Sequence, residues 1–219
     1  MPLPINIEKL ILNKTIESSR IEYKRSWNPE KVLHTICAFA NDYENLGGGY
    51  IIIGIEEENS RPREVVGVTD NDVNHMMKDL IRICNMMDPR YMPVCSEEYC
   101  NDTRLFVIWA PAGESRPYKC PISLGNERRT NEKGYFIRRV SSTIRATHEE
   151  EKDLISVSRL HTFDDSMNID ADISDIGLGL VQDYLDRVKS KMDTDSENKI
   201  QILKDMRLVR GPPEALKPL

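Results

Sequence analysis

The order of apolar and polar positions divides the chain into helical and extended segments. Ile7, Leu10 and Ile11 recur at helical spacing and predict a short helix within 5–14. Residues 21–24 form a short extended run. Pro29 suits the first turn of a second helix, whose broad apolar face is Val32, Leu33, Ile36, Cys37, Phe39 and Ala40. Gly47, Gly48 and Gly49 stop it. Tyr50–Ile55 is an unbroken apolar run rich in β-branched residues, the pattern of a strand buried on both faces. The charged stretch 56–63, with Pro62, reads as a loop, and 65–68 as another strand. Val73, Met76, Met77, Leu80, Ile81, Ile83 and Cys84 line one face of a helix over 70–87, with Asp70 or Asn71 as its N-cap. Residues 93–100 and 105–110 predict two strands around an Asn101-Asp102 turn. Two more follow at 118–123 and 135–138, with a turn at 131–134 before the second. Thr147 and Glu150 form a capping-box pattern that opens a helix. The acidic stretch 164–175 reads as a linker, 176–192 and 197–208 as helices, and 211–219 as no element. Together these predict an α+β fold: a mixed, largely antiparallel sheet with helices packed on one face, over 1–162. A small helical region over 163–219 follows, the expected start of a further domain.

Composition narrows the class. With 39% hydrophobic and 30% charged residues, the balance is that of a soluble globular protein. No apolar run nears the roughly 20 residues that cross a bilayer, and no signal peptide is apparent, so a cytoplasmic location without membrane contact is expected. The five cysteines, Cys37, Cys84, Cys95, Cys100 and Cys120, include no C-x-x-C pair and read as reduced thiols. The four histidines are too scattered to suggest zinc. A net charge of −6 argues mildly against nucleic acid, but its distribution reverses that argument. Residues 1–148 carry 20 Lys/Arg and 20 Asp/Glu, whereas 149–219 carry 10 and 16. Between Glu114 and His148 eight basic residues face three acidic ones, a balance compatible with phosphate contacts.

Those basic residues are Arg116, Lys119, Arg128, Arg129, Lys133, Arg138, Arg139 and Arg145. With Lys24 they make the candidate nucleic-acid-binding set. In a strand Arg138 and Arg139 point to opposite faces, so only part of the set shares one patch. Tyr135 and Phe136 sit beside the set, one of them placed to stack on a base, with a core role favoured for Phe136. The triple glycine is not a G-x-x-x-x-G-K-[ST] loop, so no nucleotide-binding P-loop is present. It reads as a helix stop and tight turn, or as a backbone turn approaching phosphate, with Asn41 hydrogen-bonding the turn. No spacing suggests a Ser/His/Asp or Cys/His arrangement.

Three patches resemble one family. Glu17-Ser18-Ser19-Arg20-Ile21-Glu22-Tyr23-Lys24 is similar to the opening of the Schlafen-type divergent Alba-like domain. Ala38-Phe39-Ala40-Asn41, then Gly47 to Glu56, is similar to its helix, glycine turn and central strand. Tyr135-Phe136-Ile137-Arg138-Arg139-Val140-Ser141-Ser142-Thr143 is similar to its late strand and small-residue turn. Order and spacing agree over about 15–150. The chain departs from the pattern in the longer stretch Asp42–Leu46 and in Ser141, where the family usually has glycine.

The resemblance implies a nucleic-acid-binding domain, for DNA or RNA, in a transcriptional regulator or an ATP-dependent-helicase-related protein. It also implies a following ATPase-like or winged-helix region. Some Schlafen proteins cleave RNA with three carboxylates, which would align with Glu17, Glu22 and Glu56, with Glu57 as neighbouring candidate. That alternative implies Mg2+ or Mn2+, since such ions take oxygen ligands. The competing reading leaves these glutamates in wet surface ion pairs with Arg20, Lys24 and Arg25. A third reading is a homodimerisation or interaction module for an ATPase portion, because Alba-like domains tend to pair.

Overall fold

The computed structural model describes residues 3, 5–13, 15–125, 132–159, 168, 171–190, 199–211 and 215–219. Arg128 and Arg129 lie outside these residues, as does most of the expected 164–175 linker. The chain divides into two compact units, 1–160 and 161–219.

The first unit is organised by one strand. β2 (Gly49–Ile53) is buried along its whole length, as its unbroken apolar run requires. It pairs in parallel with β1 (Ile21–Lys24) and antiparallel with β6 (Thr103–Ala110), which pairs with β5 (Val94–Cys100). The sheet order is β1-β2-β6-β5. Because side chains alternate across a strand, β2 feeds two cores. Ile51 and Ile53, with Phe106 and Ile108, pack against α2 (Pro29–Asn41) and α3 (Asp70–Cys84). Tyr50 and Ile52, with Leu105 and Val107, pack against Ile7, Leu10 and Ile11 of α1 (Ile7–Leu12). Helices therefore cover both faces, not the one expected, because β2 is apolar on both sides. Each such buried side chain contributes about 1.5–3 kcal/mol.

Local chemistry sets the ends of the helices. Asn28 caps α2 by accepting from the Lys31 N–H at 3.0 Å, and Pro29 takes the first turn. Thr69, not Asp70 or Asn71, caps α3 and forms a reciprocal capping box with Asp72. The charged stretch 56–63 is not a loop. It forms a two-stranded ribbon, β3 (Ile55–Glu58) and β4 (Arg61–Val65), joined by Asn59 and Ser60, both with positive φ. The expected 65–68 strand is the end of β4 and the turn after it.

A second, three-stranded sheet covers the outer side of α2. β7 (Lys119–Pro121) pairs with β8 (Lys133–Arg139), which pairs with β9 (Ser142–Arg145). β9 lies where only a turn was expected. The side of this sheet facing α2 contributes Cys120 and Phe136 to the α2 core, and His34 stacks on Phe136 at 3.9 Å. On its other side Ile137 joins Ala146 and Leu154 of α4 (His148–Arg159). Thr147 and Glu150 form the expected box at the start of α4, the Glu150 carboxylate accepting from the Thr147 N–H at 2.8 Å.

The second unit holds α5 (Leu178–Arg187) and α6 (Lys199–Asp205) around Val181, Leu185, Ile202 and Leu203. The segment expected to carry no element adds a short ribbon, β10 (Val209–Arg210) with β11 (Lys217–Pro218).

Candidate nucleic-acid interface

The β7-β8-β9 sheet sorts the basic residues by strand geometry. Lys133, Tyr135, Ile137 and Arg139 alternate onto one face of β8, and Lys119 joins them because it pairs with Tyr135. Gly134, Phe136 and Arg138 take the opposite face, toward α2, with Thr143 and Arg145 across from them. Lys119, Lys133 and Arg139 are thus the basic set on one face. Lys119 lies 3.3 Å from Asp88. Arg139 bonds Glu150 at 2.8 Å, lies 3.7 Å from Glu44 and sits 4.7 Å above the Tyr43 ring. The Glu150 carboxylate holds the Arg139 guanidinium above its ordinary range, and is itself held low by the Thr147 backbone and then by Arg139.

Arg138 has a different place. Its side chain is only 5% exposed. It donates to Glu22 Oε2 at 2.6 Å, Thr143 Oγ1 at 3.0 Å, the Ser18 carbonyl at 2.8 Å and the Ile21 carbonyl at 3.4 Å. Its guanidinium also lies 5.3 Å from the Phe39 ring. Expected as a phosphate contact, it is a buried clamp that ties β8 to the outer edge of β1. Arg116 is similarly enclosed, with Nη1 3.3 Å from Asn45 Oδ1 and 3.7 Å from Asp42 Oδ2. Lys24 pairs with Glu22, and Arg145, half exposed, lies 3.8 Å from Glu132. The structure does not bring these four onto the Lys119 face.

Around the glycines the turn is held by Asp42 and not by Asn41 as expected. Asn41, fully buried, accepts from the Tyr118 N–H at 2.6 Å and donates to the Tyr118 and Phe136 carbonyls, both at 2.9 Å. It stitches α2 to the second sheet rather than to the glycine turn. Asp42 holds the turn, accepting from the Leu46 and Gly47 N–H groups at 2.9 Å each. Asp42 sits in the left-handed region at the end of α2, where an aspartate is tolerated. Burial raises its carboxyl, offset in part by the Gly47 and Gly48 amides and Arg116. Gly48 has φ +80°, and an added Cβ would lie 2.1 Å from the Ala110 carbonyl oxygen. This close approach of turn to β6 accounts for the glycine. Asp42 escaped the sequence reading, although an acidic residue between a helix and a glycine run is a signal for such an acceptor.

These elements span the stretch matched by a known family. The Schlafen, AlbA_2 family profile matches residues 17–147. The chain belongs to the Schlafen AlbA_2 family. No curated protein sequence matches it. Among solved structures it is similar to the DIP2311 protein of Corynebacterium diphtheriae, at 14% identity and TM-score 0.48, over 97% of this chain. It spans 42% of the length of that protein. It is also similar to the N-terminal domain of a putative ATP-dependent DNA helicase RecG-related protein from Nitrosomonas europaea. There the identity is 24% and the TM-score 0.44, over 67% of this chain and 94% of that one.

The acidic residues of the Schlafen AlbA_2 domain are distributed over separate partners. Glu17 Oε1 accepts from the Tyr23 N–H at 2.8 Å. Glu22 is shared between Lys24 and Arg138. Glu56 pairs with Arg25, and Glu57 accepts from the Ser60 N–H at 2.8 Å. Burial raises the Glu17 carboxyl, the Tyr23 amide opposes this, and the charges of Glu22 and Glu57 raise it further. On β3 it is the charge of Glu57 that adds to this rise. Among the described residues no group of three acidic, histidine or cysteine side chains is arranged to hold a metal ion. Glu22 is shared by two cations, and Glu17 accepts the Tyr23 amide through Oε1.

A raised folded-state pKa means that the stability a carboxyl contributes is complete below its unfolded pKa and is lost as pH rises through the folded value. Glu17→Gln is therefore expected to raise the urea midpoint at pH 7 relative to the parent, and to leave it nearly unchanged at pH 4. The reverse order would show that Glu17 is stabilised as a carboxylate.

Among the described residues no helix is long and apolar enough to cross a membrane.

Proposed function

We propose that the Schlafen AlbA_2 domain binds the phosphate backbone of nucleic acid, as the recognition part of a regulatory protein acting on transcription. The observation that carries this reading is that β7 and β8 turn Lys119, Lys133 and Arg139 to the same side, Lys119 and Lys133 at one end and Arg139 at the other, with Ile137 between them covered by Leu154 of α4. Of their acidic neighbours, Asp88 beside Lys119 is exposed and does not oppose it strongly, whereas Glu150 beside Arg139 is only 16% exposed and holds that arginine in place. Surface pairs contribute about 0–1 kcal/mol, so a phosphate displaces Asp88 at little cost. Tyr135 on the same face is half-buried, packed against the Ile137–Leu154 core. Enclosed Arg138 contributes by holding β8 in place.

Lys133→Ala and Arg139→Ala are each expected to weaken binding of labelled tRNA and duplex DNA several-fold, and to lower the slope of log affinity against log salt by about 1. Affinity and slope unchanged in both variants would refute the interface. Comparing the two ligands decides between RNA and DNA.

A nuclease reading has one observation in its favour, the charges of Glu22 and Glu57 acting on the half-buried Glu17. Against it, a metal ion would first have to draw Glu22 away from Lys24 and Arg138, and Glu17 away from the Tyr23 amide. RNA fragments that form only with Mn2+ and vanish in Glu17→Gln would establish it.

A further inference from the structure

The β8–β9 hairpin turns through two residues, Val140 and Ser141, between the paired Arg139 and Ser142. Val140 has φ +56°. A left-handed backbone suits glycine or asparagine in such a turn and is unfavourable for a β-branched side chain. The other non-glycine residues with positive φ among those described are Asp, Asn, Ser, Lys or Arg; Val140 is the β-branched exception. Its side chain is also 75% exposed, the most of any large hydrophobic residue described in the first unit. Backbone conformation and solvation both work against valine here, and no packing within the unit offsets them. Such outliers point to function when the surrounding structure fixes them. Here it does. Arg138 clamps the strand leading into the turn, while Arg139, on the opposite side, is fixed by Glu150, Glu44 and the Tyr43 ring.

The result is a rigid two-stranded ribbon with an apolar tip, an arginine immediately behind it and Ile144, 40% exposed, on the Arg139 face. A β-ribbon of this kind fits a nucleic-acid groove, and an apolar side chain between base steps partly unstacks them. We propose that Val140 is the base-contacting tip of the interface, packing against an unstacked base while Arg139 engages the adjoining phosphate. This rests on the nucleic-acid reading above and adds to it the atom group that meets the bases. In the bound state the valine loses water contact, which offsets the conformational cost that the free protein carries.

The test uses the whole chain with Val140→Gly and Val140→Asn, both at ease with positive φ. Both variants are expected to melt at a higher temperature than the parent. Both are expected to bind a labelled 20-nucleotide single strand, in DNA and RNA versions, about tenfold more weakly, as for loss of one base contact. The salt slope should not change, because no cation is removed. Equal affinity in parent and variants would overturn the assignment of the tip while leaving the phosphate interface intact. So would a fall in melting temperature in both variants, which would make Val140 a structural residue. No binding of either strand, of tRNA or of duplex by the parent would overturn the nucleic-acid reading and the tip together.

Discussion

Arg138→Ala is expected to lower the unfolding free energy by about 3–5 kcal/mol, the cost of removing one partner from a buried ion pair. The guanidinium is nearly enclosed and bonds a carboxylate, a hydroxyl and two backbone carbonyls, reaching 116 to 120 residues back in sequence for the carboxylate and the carbonyls. Truncation leaves Glu22 with Lys24 alone and the Ser18 carbonyl with only the Ile21 N–H. It also removes the contact over Phe39 and leaves a void beside it. Arg138→Lys keeps the charge but not the planar fork, so an intermediate loss is expected. A urea titration reads both, with the m-value showing whether the denatured state has changed. A loss below about 1 kcal/mol in Arg138→Ala would place this arginine on the surface, in the range of exposed pairs.

Asn41→Ala should cost about 3–4 kcal/mol, because three buried backbone groups lose a bond together, the Tyr118 carbonyl keeping only the Cys37 thiol, and an unsatisfied buried group costs about 1–3 kcal/mol, not fully additively. The three are the Tyr118 N–H and the Tyr118 and Phe136 carbonyls. Asn41→Asp is a sharper probe, because it keeps shape and the acceptor but turns two donated bonds into repulsions. Its carboxyl would be raised by burial and by the two carbonyls, so the variant should regain stability on acidification. Thermal melts at pH 7 and pH 4 measure this. An Asn41→Asp protein as stable as the parent at pH 7 would mean that the amide does not bridge α2 to the second sheet.

The parts of the fold that were legible in the sequence were those whose side chains carry the pattern themselves. β2 announces itself because both of its faces are buried, and α2 because its apolar face is broad. The β3–β4 ribbon was hidden because its residues are mostly charged and it forms a two-stranded sheet of its own; only Asn59-Ser60 marked the turn. In the site, alternation foretold that Arg138 and Arg139 would separate. It did not tell which would be buried, since that depends on Glu22 lying across from β8, a pairing set by the tertiary fold. Asn41 and Asp42 have nearly equal turn preferences. Which of them meets the glycines is decided by where α2 ends, with Asp42 as the left-handed residue.

The phosphate-binding face is tested most directly by replacing Lys119, Lys133 and Arg139 together with alanine and measuring tRNA and duplex DNA binding across a salt series. The parent is expected to show a slope of about −2 to −3, as three phosphate contacts give. The triple variant should fold as the parent does and show a slope near zero. Parent-like affinity and slope in a folded triple variant would contradict the account.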